Sequence, residues 1–225
     1  MRQGWKGKRA AVGATAGAAA LLIAAIAAWQ VRSGDGARRG GPDTWSADTR
    51  RHVENRHEAA MTMIDVGELG QARILLEDLS ANYPRDPVAH ALLARAYFGL
   101  GQDDKAYAAA KRAVELDPTD AEAADLAGML AEKRGETEAA RRMYATAAAA
   151  RPERPKYRVQ LANALLKLDD PAGARRQAKA ALSLDPTLAV AHGVLGYVAR
   201  RDGAPERAAE HFREAIRHSD GGARR

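Results

Sequence analysis

The chain carries an internal repeat of 34 residues, and this period constrains the fold more than any other feature. Four prolines are spaced 34 residues apart, namely Pro84, Pro118, Pro152 and Pro186. Five alanines follow the same spacing, namely Ala72, Ala106, Ala140, Ala174 and Ala208. The whole chain of 225 residues has 9 prolines, so four equally spaced ones are very improbable by chance. A fixed period of this length predicts an array of similar supersecondary units.

The period divides the chain into five units of 34 residues without insertions or deletions. The units are 53–86, 87–120, 121–154, 155–188 and 189–222, and positions within a unit are numbered from 1 below. Position 15 holds a glycine in four units and Asp169 in the fourth unit. A glycine near the middle of each unit predicts a break between two structural elements.

Each unit has the apolar pattern of two helices. In the second unit, apolar residues recur at helical spacing before Gly101 and again after it. The two sets are Leu93, Ala94 and Tyr97, and Ala106, Ala110 and Ala113. Asp86 and Pro87 provide a capping residue and a proline where the first helix should begin. The unit is therefore predicted to be a helical hairpin.

Small residues occupy position 8 of every unit, where the two helices of a hairpin should cross closely. This column contains Ala60, Ala94, Gly128, Ala162 and Gly196, and the alanine at position 20 should face it. Together with the proline and alanine columns, this pattern resembles the tetratricopeptide repeat family across the five units. The resemblance implies an all-α fold, an α-solenoid of five helix-turn-helix repeats. The tryptophan common at position 4 of the family is absent, and position 11 has its usual tyrosine only at Tyr97.

The N-terminal segment 10–31 contains no charged residue and follows a basic flank, 1–9. As a helix it would be about 33 Å long at 1.5 Å per residue, enough to cross a bilayer core of roughly 30 Å. We expect a single transmembrane helix, with a cleaved signal after Ala27 as the alternative. The basic flank disfavours a buried core helix. The glycine-rich segment 32–45 is predicted to be a flexible linker, followed by the repeat domain 46–222 and a tail, 223–225.

The basic flank predicts a cytoplasmic N-terminus and a repeat domain outside the cytoplasm. If the segment is cleaved as a signal, the repeat domain is secreted. Within the segment, Gly13 and Gly17 have the spacing that lets two helices approach closely, which would permit a homodimer. Alanine-rich sequence produces such pairs often, so this prediction is weakly specified by the sequence.

The formal net charge of +6 is unevenly distributed. Residues 1–52 contain nine Lys and Arg against three Asp and Glu, whereas residues 53–222 contain 24 against 26. The repeat domain is therefore slightly acidic. Nucleic-acid binding, which needs a basic face on the folded domain, is disfavoured.

The sequence indicates no enzyme. It has no cysteine, which excludes disulfides and thiol chemistry, and it contains no phosphate-binding or nucleophile motif. His211, Glu214 and His218 share one helix face, but we interpret them as a solvated face, with His218 beyond the helix end, and predict no metal. His90 and His192 are three units apart and too distant to share a metal ion. Asp103, Asp104, Asp169 and Asp170 are interpreted as helix caps, and no cofactor is predicted.

The resemblance implies a scaffold or adaptor that binds a segment of a protein partner. In the family, positions 2, 5, 9 and 12 of each first helix face the inside of the superhelix, and their spacing places them on one stripe. Of the twenty residues at these positions, we take thirteen as the candidate binding surface and call them the inner stripe: Met61, Ile64, Val88, Ala91, Arg95, Phe98, Met129, Val159, Asn163, Leu166, Val190, Tyr197 and Arg200.

The inner stripe is mainly apolar, which favours an amphipathic helix or an extended apolar segment as the partner. The pair that holds C-terminal carboxylates in some family members is incomplete, because Asn163 is matched with Val159. The alternatives are that the inner stripe only packs between hairpins, that the chain is a non-catalytic subunit positioning substrate for a partner enzyme, or that it is a self-associating structural protein. By resemblance, the process served would be the assembly of a complex in a cell envelope.

Overall fold

The computed structural model describes residues 40–220, which form ten α-helices and no strand. The helices are α1 (Ala47–Asp65), α2 (Leu69–Asn82), α3 (Pro87–Gly99), α4 (Asp103–Leu116), α5 (Ala121–Lys133), α6 (Thr137–Ala150), α7 (Pro155–Lys167), α8 (Pro171–Leu184), α9 (Ala189–Arg201) and α10 (Pro205–Asp220). A short 3₁₀ turn, Pro42–Thr44, precedes α1. The prediction of an all-helical solenoid is confirmed.

Each helix packs against the next one in the chain, so consecutive helices form antiparallel hairpins that stack in order. In addition, α1 contacts α3, α3 contacts α5 and α7 contacts α9. The first helices of successive hairpins therefore lie close together and line the inside of the curve, as in other stacked repeats.

No helix within residues 40–220 combines the length and apolar character needed to cross a membrane. The anchor or signal predicted at 10–31, its basic flank 1–9 and the Gly13–Gly17 pair lie outside the described residues. So do most of the linker 32–45 and the tail 223–225.

The turn inside each hairpin requires a left-handed backbone at position 15. Gly67 has a φ of 84°, and the other three glycines at this position are similar. Asp169 adopts the same conformation with a φ of 63°, which aspartate tolerates better than most residues. This explains why one polar residue can replace glycine in the column without changing the hairpin.

The small residue at position 8 matches the side chain at position 24 of the same hairpin. A Cβ added to Gly128 would lie 2.6 Å from the ring of Tyr144, and one added to Gly196 would lie 2.6 Å from the ring of Phe212. Where position 8 is alanine, position 24 is Leu76, Ala110 or Ala178. Glycine therefore occurs where an aromatic ring crosses the first helix, and the closest partner is position 24, not the alanine expected at position 20.

Side-chain caps and an aromatic contact define the start of the first two hairpins. The Ser46 side chain accepts a hydrogen bond from the Thr49 amide. The indole of Trp45 packs edge-on against the ring of Tyr83, with the ring centroids 5.3 Å apart. Asp86 accepts bonds from the amides of Val88 and Ala89, which confirms its predicted capping role.

The acidic pairs at the hairpin turns do more than cap helices. Asp170 accepts a hydrogen bond from the Gly173 amide, as a cap should. Asp103, Asp104 and Asp169 instead form ion pairs with the following unit, to Lys133, Arg134 and Arg201 respectively. The prediction that all four are caps is wrong for these three, because carboxylates near a turn reach the basic end of the next first helix.

Further ion pairs join neighbouring units, including Lys156 with Asp125 at 2.6 Å and Lys167 with Glu132 at 2.9 Å. The last helix continues to Asp220, since Asp220 replaces the proline that follows the second helix in the other units. His218 therefore lies within α10, and its predicted place beyond the helix end is wrong.

Candidate functional site

Six large apolar side chains of the inner stripe are exposed to solvent. They are Met61, Val88, Phe98, Met129, Val190 and Tyr197, and between 38% and 54% of each residue is accessible. Exposed side chains of this size occur singly on many proteins, but a row along one face is typical of an interaction surface.

A groove of about 970 Å³ runs along the inside of the first three units and ends at the start of the fourth. Seven inner-stripe residues line it: Met61, Ile64, Val88, Ala91, Arg95, Phe98 and Met129. The first helices α1, α3 and α5 supply all of them, because positions 9 and 12 of one helix lie beside positions 2 and 5 of the next. The structure thus brings the first half of the inner stripe into one concave surface.

The inner-stripe residues of the fourth and fifth units differ in exposure and do not form one surface. Val159 is only 7% exposed and packs with Ala181 and Ala191, so this side chain is unavailable to a partner. Leu166 is half-buried against a core cluster, and Asn163 is half-buried beside it. The remaining three, Val190, Tyr197 and Arg200, lie at the surface of α9. There the Arg200 guanidinium lies 5.0 Å above the ring of Tyr197, a cation–π arrangement.

The charged rim of the groove includes residues that the sequence argument missed. Arg151, Arg154 and Tyr157 line its far end, and they come from the loop after α6 and the first turn of α7. The rule applied to the sequence considered only four positions of each first helix. A loop reaches the groove only because the hairpins curve, and no local pattern in the sequence reports that curvature.

Ion pairs neutralise part of this rim. Arg95 lies 3.6 Å from Asp65, and Lys156 lies 2.6 Å from Asp125, a contact that raises the pKa of the lysine. Arg151 and Arg154 are exposed at the same end. Asp120 and Glu122 line that end as well. The groove therefore has an apolar floor and a far end of mixed charge, which suits a ligand with an apolar face.

Tyrosines close to the groove hold the hairpins together and are not reactive groups. The Tyr97 hydroxyl donates to Glu77 Oε1 at 2.7 Å, and burial followed by this contact raises the pKa of Tyr97 to about 12. Burial likewise raises the pKa of Tyr144, whose hydroxyl donates to Glu132 at 2.9 Å. Both phenols stay protonated near neutral pH and serve as hydrogen-bond donors.

The structure also brings His192 beside His211 and His218, a grouping that the sequence argument did not make. His192 occupies position 4 of its unit and faces positions 23 and 30 of the same hairpin. Burial, then the neighbouring His192, lowers the pKa of His211. Within the described residues, no three His, Asp or Glu side chains already surround a common point as metal ligands do.

Comparison with known proteins identifies the repeats. Models described as "Tetratricopeptide repeat" match residues 52–130, 126–189 and 159–223. No curated protein sequence matches the chain significantly.

Among solved structures, the chain is similar to a crystal structure of MamA, with a TM-score of 0.66 and 19% identity over 74% of this chain and 97% of that one. It is also similar to a MamA fragment from Desulfovibrio magneticus RS-1, with a TM-score of 0.64 and 20% identity over 75% and 96% of the two chains. A MamA AMB-1 structure is similar with a TM-score of 0.64 and 23% identity, over 74% of this chain and 98% of that one. At these identities the likeness concerns the fold alone.

Proposed function

The chain belongs to the tetratricopeptide repeat family, and from this we propose that it is a membrane-tethered scaffold that binds a segment of a partner protein. The ligand is an amphipathic helix or an extended apolar segment, and it occupies the groove lined by α1, α3 and α5. The complex formed serves assembly in a cell envelope, with the repeat domain outside the cytoplasm.

The row of exposed apolar side chains along the groove carries this proposal. Phe98 and Met129 project from neighbouring first helices and are each about two-fifths exposed, although both could have been buried or polar in a purely structural array. An aromatic side chain at the centre of a concave surface is a typical anchor for a binding partner. The far end carries both basic and acidic side chains, so the apolar floor is the feature that selects the ligand.

The test uses two groove substitutions, Phe98→Ala and Met129→Ala, with Ile74→Ala as the matched control. Ile74 is 62% exposed on α2 and does not line the groove. If the groove binds the partner, recovery of the crosslinked partner falls in the groove variants while their unfolding midpoints stay close to that of Ile74→Ala. Loss of stability with full recovery would place these side chains in the core and refute the proposal.

The tether is proposed from the uncharged segment 10–31 and its basic flank. A reporter that is active only outside the cytoplasm, fused after Arg225, is expected to be active. Activity of a cytoplasmic reporter at the same position would refute this orientation. A mature N-terminus at Ala28 would show cleavage and a secreted domain in place of the anchor.

A further inference from the structure

We propose that His192, His211 and His218 form a binding site for a divalent transition metal ion of the Zn²⁺ type at the C-terminal end of the solenoid. The site is separate from the groove, because it lies between α9 and α10 on the side of α9 that faces its own hairpin partner.

A backbone carbonyl favours one tautomer of the neutral His192 ring. Its Nε2 lies 3.0 Å from the carbonyl oxygen of Pro186, and a carbonyl can only accept a hydrogen bond. In the neutral ring the proton is therefore on Nε2, and the lone pair is on Nδ1. Histidines that bind metals are commonly oriented in this way, with the other ring nitrogen donating to a carbonyl or carboxylate.

A second nitrogen lies at the spacing of two metal ligands. His211 Nδ1 is 3.5 Å from His192 Nδ1, which is longer than a good hydrogen bond between such atoms. Two nitrogens bound tetrahedrally to zinc at 2.0–2.1 Å would be about 3.3–3.4 Å apart. The pair thus presents one edge of a coordination tetrahedron with little movement.

The third candidate ligand is His218 on α10. The ring of His218 stacks on that of His192, with centroids 5.9 Å apart and planes inclined by 20°. Its side chain is 26% exposed, and its Nε2 lies 3.6 Å from Glu214 Oε2. Stacked rings do not converge on one point, so the torsions of His218 must change on binding. Imidazole ligands suit Zn²⁺, Ni²⁺ and Cu²⁺ better than Ca²⁺ or Mg²⁺.

The surroundings carry mixed charge, which leaves the imidazoles as the principal ligands. Glu214 forms an ion pair with Arg217 at 2.8 Å. The charged groups Lys179 and Glu210, of opposite sign, lie near His211, and Asp185 lies near His218. Metal binding would fasten α10, the last helix of the described residues, to α9. A ligand that binds only the folded state raises the unfolding temperature.

The second unit provides an internal control. His90 occupies the same position 4, and its Nε2 lies 3.2 Å from the carbonyl oxygen of Pro84. Positions 23 and 30 of that unit are Ala109 and Leu116, so His90 has the carbonyl contact but no histidine partners. Any effect that depends on the carbonyl contact alone would appear at His90 too.

The experiment titrates Zn²⁺ into the full chain, purified in mild detergent without a histidine tag and stripped with a chelator. Calorimetry is expected to give one Zn²⁺ per chain, with an unfolding temperature that rises with Zn²⁺. His211→Gln and His218→Gln should weaken binding by about tenfold or more, while His90→Gln should bind as the wild type does.

Circular dichroism without metal checks that each variant is folded, and His218→Gln, at the more exposed position, remains informative if His211→Gln is not. The absence of stoichiometric binding, unchanged affinity in a folded His218→Gln variant, or equal weakening by His90→Gln would overturn the proposal.

Discussion

Replacing Gly128 by alanine tests the packing rule that joins the two helices of each hairpin. The new Cβ would lie 2.6 Å from Cε1 and 2.7 Å from Cδ1 of Tyr144, distances that real Cβ atoms do not adopt. Tyr144 is 1% exposed, and its hydroxyl donates to Glu132. The ring therefore cannot move aside without losing a buried contact.

The expected magnitude follows from three terms. Overpacking costs about 1–3 kcal/mol, and a disturbed hydrogen bond from Tyr144 adds about 0.5–1.5 kcal/mol. The gain in helix propensity from glycine to alanine offsets about 0.8–1.0 kcal/mol. Gly128→Ala should therefore lower the free energy of unfolding by about 0.5–4 kcal/mol.

The same substitution made in a Tyr144→Ala chain should change the free energy of unfolding in the opposite direction. In a Tyr144→Ala chain the ring is gone, and adding Gly128→Ala gives the unit the alanine pair that Ala94 and Ala110 form in the second unit. The same Gly128→Ala change should there stabilise the protein by roughly 0.5–1 kcal/mol, since only the propensity term remains.

Urea denaturation followed by circular dichroism would measure all four chains of this cycle. Gly196→Ala is the matched control, because Phe212 is only half-buried on the last helix and can move at a smaller cost. A stabilising effect of Gly128→Ala in the wild-type background would refute the packing rule.

Three further predictions concern stability. Ala140 is fully buried, so Ala140→Leu should cost about 1–3 kcal/mol of unfolding free energy. The control at an exposed position, Lys105→Ala, should change it by at most about 0.5 kcal/mol. Equal urea midpoints for the two variants would contradict the helix register that buries Ala140. Asp86 is 1% exposed and also contacts His57 Nε2 at 2.7 Å, so Asp86→Ala should cost about 2–4 kcal/mol from the lost cap and the unpaired histidine. Asp120→Ala, which removes a cap alone, should cost about 1 kcal/mol. The hydrogen bond from Tyr97 holds the pKa of Glu77 below its ordinary 4.5, so this contribution to stability is present above pH 4.5 and is lost as the pH falls below it. Tyr97→Phe should therefore lose less stability than the wild type between pH 5 and pH 3 in urea titrations, and an equal loss would exclude this linkage.

The repeat period was sufficient to predict the hairpins, because the helix breaks are local. Gly101 adopts a left-handed backbone conformation, and Asp86 caps α3 by accepting hydrogen bonds from amides two and three residues later. Both features can therefore be predicted from a few adjacent residues. The columns at positions 8 and 20 likewise identify the buried faces, since Ala94 and Ala106 are fully buried.

Features that depend on contacts between different helices were not predictable in the same way. The pairing of Gly128 with Tyr144 joins positions 16 residues apart on two helices, and His192 meets His211 across a hairpin. Arg151 and Arg154 reach the groove only through the curvature of the stack. Val159 has the position of a groove residue, but the packing of α7 against α8 and α9 buries it.

The central claim is that a partner segment lies in the groove, and site-specific photocrosslinking in the native membrane tests it most directly. A crosslinker is placed at Phe98, at Met129 and, as the control, at exposed Ile74. The account predicts that one and the same partner segment, with an apolar face, is attached from Phe98 and Met129 and not from Ile74. Attachment of that segment from Ile74 with equal yield, or its absence from both groove positions, would contradict the account.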